Sequence, residues 1–191
     1  MAAMAGRNSN ARGRDMLISM AVLLVPVALI VWFFSRPGDT TVQAVSVAPV
    51  LQKAKAASPY PVLVPEALDA EWTATRVAWA ASGDKWIDGE PAEGNSWQVG
   101  YMSPEGIYFG VQQRDEALRS FVSGVTRDGS GLRAEVDLAG RTWQRYESAD
   151  RRTMSLVNVD GDVASIVTAD TDFAELEAFA STLVAVDPAQ G

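Results

Sequence analysis

The chain has 191 residues, 48% of them apolar, with 16 basic and 24 acidic side chains and neither cysteine nor histidine. That apolar content supports one packed domain and argues against a disordered chain. The missing thiol excludes disulfides and a cysteine-borne lipid anchor, and the missing imidazole excludes histidine triads, histidine acid–base catalysis and most zinc sites.

Charge divides along the chain. Arg7, Arg12, Arg14 and Arg36 face only Asp15 in the first 36 residues, so the remaining residues carry 12 basic and 23 acidic side chains. A domain that acidic is repelled by phosphate backbones, so nucleic acid is not an expected partner.

Residues 1–15 read as a basic N-terminus, followed by an uncharged apolar run from Met16 to Phe34. Nineteen residues at about 1.5 Å each nearly cross the ~30 Å hydrocarbon core, so a transmembrane helix is expected. Pro26 interrupts it, as membrane helices tolerate, and Trp32, Phe33 and Phe34 stand where an interfacial aromatic belt would. Three arginines ahead of the run place the N-terminus in the cytoplasm and the domain outside. The rival is a cleaved signal peptide with its first small-x-small site at Val42-Gln43-Ala44. A buried soluble helix fits worse, because the run has no polar face.

Residues 35–46 read as a linker, residues 47–186 as the domain and residues 187–191 as a tail. Val47, Val50, Leu51 and Ala54 have helical spacing; Ser58-Pro59-Tyr60-Pro61 ends that helix, and Val62–Pro65 is extended. Glu71–Ala80 reads as a strand carrying Trp72 and Trp79, and residues 81–95 as a loop.

The segment 96–113 is a hairpin whose register can be argued. A three-residue Pro104-Glu105-Gly106 loop pairs Tyr101 with Phe109 and Val99 with Val111, which gathers the apolar side chains on one face. A two-residue loop would scatter them. Leu118, Phe121, Val122 and Val125 then mark a helix, and Leu132–Leu138 alternates as a half-buried strand. Ala139-Gly140 turns into a strand over Arg141–Glu147, with Trp143 opposite Val136. Met154–Val159 and Asp162–Thr168 flank Asp160-Gly161, a type I′ hairpin signal; both strands are apolar on both faces and belong in the middle of a sheet. A last helix spans about 172–184, with Asp172 and Glu175 spaced as a capping box and Leu183 and Val184 on its buried stripe. The fold class is α+β: an N-terminal transmembrane helix, then a six- or seven-stranded antiparallel sheet with helices on one face.

Several of these pieces together resemble an actinobacterial membrane-protein family, domain of unknown function 4245. They are Arg14-Asp15-Met16, the Tyr60–Pro65 run, the hairpin with Trp97, Tyr101, Pro104, Gly106 and Tyr108, Gly140-Arg141-Thr142-Trp143 with Tyr146, and the final amphipathic helix. The resemblance implies a single-pass envelope protein of a high-GC Gram-positive bacterium, and it brings no catalytic residues with it.

Residues with chemical promise have plain alternatives. Ser82-Gly83-Asp84-Lys85 fits S-x-x-K but lies in a loop and lacks the partner motifs of that chemistry. Asp160-Gly161-Asp162 and Asp170-Thr171-Asp172 read as a turn and a helix cap, because the spacing for a calcium loop is absent. Trp86, beside Asp88 and Glu90 in the polar loop, has the strongest claim of the tryptophans to exposure and is the candidate partner anchor, but folding back over the sheet edge is the favoured reading. The expected function is therefore a membrane-anchored, non-enzymatic protein-binding or scaffolding domain in the cell envelope. No cofactor is expected, and the expected partners are the bilayer and an envelope protein. The alternative is a small-ligand or lipid-binding domain.

Overall fold

The computed structural model describes residues 19–29, 31 and 43–189. The chain divides into two compact units, Met1–Thr41 and Val42–Gly191. In the first, residues 19–29 and 31 are helical, Pro26 lies inside that helix, and apolar side chains such as Leu23 are exposed. Among the described residues no helix is long and apolar enough to cross a membrane. Met16, Trp32, Phe33 and Phe34, the ends of the expected anchor, lie outside the described residues.

The second unit is α+β. Nine strands and three helices follow in the order α1 (Ala48–Ala57), β1 (Val62–Pro65), β2 (Thr73–Ala80), β3 (Ser96–Met102), β4 (Tyr108–Arg114), α2 (Leu118–Val125), β5 (Ser130–Leu138), β6 (Arg141–Glu147), β7 (Met154–Asp160), β8 (Val163–Ala169), α3 (Phe173–Ser181) and β9 (Leu183–Val186). Seven strands form an antiparallel sheet in the order β2-β3-β4-β8-β7-β6-β5. β7 and β8 lie inside it, as their two-sided apolar sequences require. The β3–β4 register pairs Val99 with Val111 and Tyr101 with Phe109 as expected, and Val136 lies opposite Trp143. β5 is an edge strand whose Leu132, Ala134, Val136 and Leu138 are only half-buried, while Arg133, Glu135 and Asp137 face water.

Several expectations need correction. The helices do not share one face. α3, α1 and the β1–β9 pair pack on the face carrying Trp97, Val111, Leu156 and Val167, whereas Phe121 of α2 packs on Val157 and Ile166 of the other. Neighbours such as Ile166 and Val167 point to opposite faces, so a strand apolar at both needs a cover on each side.

The last helix stops at Ser181, and Leu183 and Val184 belong to β9, which pairs Val62 with Val186 and Pro65 with Leu183. A four-residue apolar tail satisfies either period, and pairing with Val62–Pro65 decides it.

The β7–β8 turn is Gly161-Asp162, with Asp160 opposite Val163 and Gly161 at φ +58°. Glycine as the first of two central residues suits a type II′ turn. This register sets Leu156 against Val167 and Val157 against Ile166, whereas an Asp160-Gly161 turn would set them against Ser165 and Ala164.

The capping box is half made. Asp172 accepts from Glu175 N at 3.0 Å, but the Glu175 carboxylate accepts from the Thr171 hydroxyl rather than reaching back to the cap. Two described residues at the margins of the domain also bond to it: Val45 N donates to Ala74 O at 2.8 Å, and Ala189 N to Lys55 O at 2.6 Å.

Candidate functional site

Phe109 on β4 and Phe179 on α3 are both 3% exposed, with ring centroids 4.9 Å apart. They meet because the sheet face needs an apolar cover and α3 carries Leu176, Phe179 and Ala180 on one stripe. Trp72 closes the group: it stacks on Phe179 at 5.5 Å and 27° and tilts against Phe109 at 5.2 Å. Trp72 is only half-buried, and it precedes β2 instead of lying on it as expected. A turn holds it there, Trp72 N donating to Asp69 O at 3.0 Å.

Above these rings opens a cleft of about 330 Å³. Its walls are the β1–β2 connection at Ala67, Leu68 and Asp69, the β3–β4 tip from Ser103 to Ile107, and α3 from Glu175 to Thr182. One wall is pinned by Glu66 N donating to Thr182 O at 2.9 Å, next to Ala67 at φ +59°. Among the described residues the rim carries Asp69, Glu105 and Glu175 and no basic side chain. Among the described residues none of these three carboxylates forms an ion pair with a basic group.

Hydroxyls in the cleft are occupied by backbone. Ser103 Oγ accepts from Ile107 N at 3.3 Å, and Thr182 Oγ donates to Phe179 O at 2.8 Å. A second cleft of about 320 Å³ lies beyond Ile107, but Arg127 and Asp170, 3.7 Å apart, line it with charge already paired. The aromatic cleft is thus the better receptor for an apolar group.

The residues singled out from sequence lie elsewhere. Trp86, Asp88 and Glu90 share one tight turn, in which Trp86 N donates to Glu90 O at 2.8 Å and Glu90 N to Asp88 Oδ1 at 3.0 Å. Trp86 is half-buried and joins neither core cluster; Asp88 and Glu90 are exposed, as is the neighbouring Ile87 at 47%. Ser82 lies in a turn, with its hydroxyl 3.5 Å from Glu116 Oε1, so no helix presents Ser82 and Lys85 together. Asp170 accepts from Thr153 Oγ at 2.6 Å and Asp172 caps α3, so these two carboxylates have structural tasks.

Sequence reasoning did not find the cleft. Trp72, Phe109 and Phe179 come from three distant segments, and their meeting depends on the helix–sheet docking. The one local signal was Trp72 itself, a large aromatic directly following the charged residues Asp69 and Glu71 in Leu68-Asp69-Ala70-Glu71.

No curated protein and no solved structure matches the chain. A family model described as "Protein of unknown function (DUF4245)" matches residues 9–183, nearly the whole length and including every wall of the cleft, and the chain belongs to that family.

Proposed function

We propose that the protein is a non-enzymatic docking module of the cell envelope. The apolar segment Met16–Phe34 holds it in the membrane with its acidic domain outside, and a partner protein docks by seating one side chain in the cleft beside Trp72. The observation that carries the docking reading is that cleft: about 330 Å³, floored by three aromatic rings and open to solvent. Its size suits one anchoring side chain, and anchors seated in desolvated pockets supply most of the energy of such interfaces. The anchor reading is supported by the arginines ahead of the apolar run and by the exposed apolar side chains of residues 19–29.

A photoreactive residue placed at Glu105 in cells should give a discrete adduct, whereas one at the exposed Arg133 on the far edge strand should not. Ala178→Trp, which fills the cleft from α3, should abolish that adduct. Equal adducts from both positions, or an adduct indifferent to Ala178→Trp, would sink the docking reading.

The small-ligand alternative draws on the same volume, which sits at the lower end of the ~300–1,000 Å³ typical of small-molecule sites. It requires a reproducible bound mass in native mass spectra that disappears with Ala178→Trp.

A further inference from the structure

Resting on the docking reading, we infer that the partner's anchor is a basic side chain, lysine or arginine, whose apolar stem lies on the aromatic floor while its charge meets the rim. The rim carboxylates arise from three separate segments: Asp69 from the β1–β2 connection, Glu105 from the hairpin tip and Glu175 from the first turn of α3. Among the described residues no basic side chain lines the cleft and none pairs with the three.

A neutral anchor would strip water from these carboxylates and return nothing, which costs affinity. A cationic anchor replaces that water with charge-assisted contacts. Trp72, half-buried in that floor, adds an aromatic ring of the kind whose face attracts ammonium and guanidinium groups. The surroundings act in the same direction, since the chain beyond residue 36 carries 23 acidic against 12 basic side chains and raises the local concentration of cationic segments.

The test uses the full chain in detergent micelles and follows the Trp72 indole N–H resonance, assigned by its loss in Trp72→Phe. The probes are capped pentapeptides of glycine with one central arginine, lysine, norleucine or glutamate. Arginine and lysine peptides should move the resonance in a saturable way, norleucine and glutamate peptides at least tenfold more weakly. Asp69→Asn combined with Glu105→Gln should lower arginine-peptide affinity at least fivefold. Both carboxylates are exposed and, among the described residues, carry no structural contact of the kind Glu175 has with Thr171, so the fold should be retained, which unchanged backbone resonances would verify. Equal binding of the norleucine peptide, or arginine binding untouched by the double variant, overturns the basic anchor while leaving the docking reading intact. Silence from every peptide also overturns it; only if the Glu105 adduct is missing as well does the docking reading fall with it.

Discussion

The indole Nε1 of Trp97 donates to the carbonyl of Leu63 at 2.9 Å, so a side chain from the large sheet completes the backbone of a strand outside it. Gln113 does the same for the other half of that residue, its Oε1 accepting from Leu63 N at 2.6 Å. β1 pairs through one edge with β9; its other edge lies over the large sheet, where buried polar groups need partners. Trp97 and Gln113 act as substitutes for a neighbouring strand, and they fix where β1, and hence the cleft wall next to it in the chain, sits.

Gln113 is 1% exposed and also donates through Nε2 to Pro61 O at 3.2 Å and Ser165 Oγ at 3.1 Å. Gln113→Leu keeps the bulk and strands these groups, and each buried orphan costs about 1–3 kcal/mol. The variant should lose about 2–4 kcal/mol, read as a lowered urea midpoint by tryptophan fluorescence. Gln113→Glu should do no better, because a carboxylate cannot donate to Pro61 and brings a buried charge. An unchanged midpoint in Gln113→Leu would mean that the stitch contributes nothing.

The features legible in the sequence obey local rules. The β3–β4 register was fixed by Pro104-Glu105-Gly106 and by which pairing gathers Trp97, Val99, Phe109 and Val111; the inner position of β7 and β8 was fixed by their two-sided apolar pattern. The same two-sidedness already implied a cover on each face, which places α2 opposite α3. β9 was illegible because Leu183 and Val184 extend the helical stripe of Leu176, Phe179 and Ala180 without a break, and only its distant partner β1 selects the strand. The cleft was illegible for a related reason. A tryptophan in a polar loop, Trp86, looks like a binding anchor locally, whereas Trp72 acquires its place from two residues on other elements.

On the opposite face of the sheet Gly100 and Gly110 are paired, and the ring of Tyr108 lies across them. A Cβ on Gly100 would come within 2.6 Å of Tyr108 Cζ, so Gly100→Ala must expel the ring. Overpacking of that kind costs about 1–3 kcal/mol. In a Tyr108→Ala background the same substitution should cost far less, giving a coupling energy above about 1 kcal/mol in a double-mutant cycle. The Tyr108 hydroxyl is buried without a partner among the described residues, so Tyr108→Phe should be neutral or stabilising by up to about 1 kcal/mol. Additive losses in the cycle would show that ring and glycines do not depend on each other.

Tyr60 predicts a response to alkali. Its phenol is buried and donates to Asn95 O at 2.7 Å; burial pushes its pKa above the ordinary tyrosine range, Asp115 pushes it further, and Arg114 opposes them. The folded chain therefore holds this proton where the unfolded chain, titrating near 10.0, has lost it. Stability from Tyr60 is complete below that pH and falls as pH rises above it. Urea midpoints should decline above pH ~10, and Tyr60→Phe should make that decline shallower by up to about 1.4 kcal/mol per pH unit. Tyr101, also raised by burial, leaves part of the slope in place. At neutral pH the variant should cost about 0.5–1.5 kcal/mol for the lost hydrogen bond. An identical alkaline slope in wild type and variant would remove Tyr60 from the account.

Ala67 joins stability to the cleft. It holds φ +59° in the wall between Glu66, whose amide is tied to Thr182, and Leu68, which lines the opening. An L-residue in the left-handed region is destabilised by about 1–2 kcal/mol, a strain that persists only where the surroundings impose it. Ala67→Gly removes that strain but loosens the unfolded chain, at a cost of about 0.4–1 kcal/mol. The net change should be a rise of up to about 1.6 kcal/mol. Ala67→Val should lose about 2 kcal/mol or more, because a β-branched side chain is least tolerated at positive φ. If the strained wall shapes the cleft, Ala67→Gly should also weaken arginine-peptide binding at Trp72 while its melting temperature rises. Stability and binding moving together in both variants would reduce Ala67 to a packing residue, with the cleft shaped elsewhere.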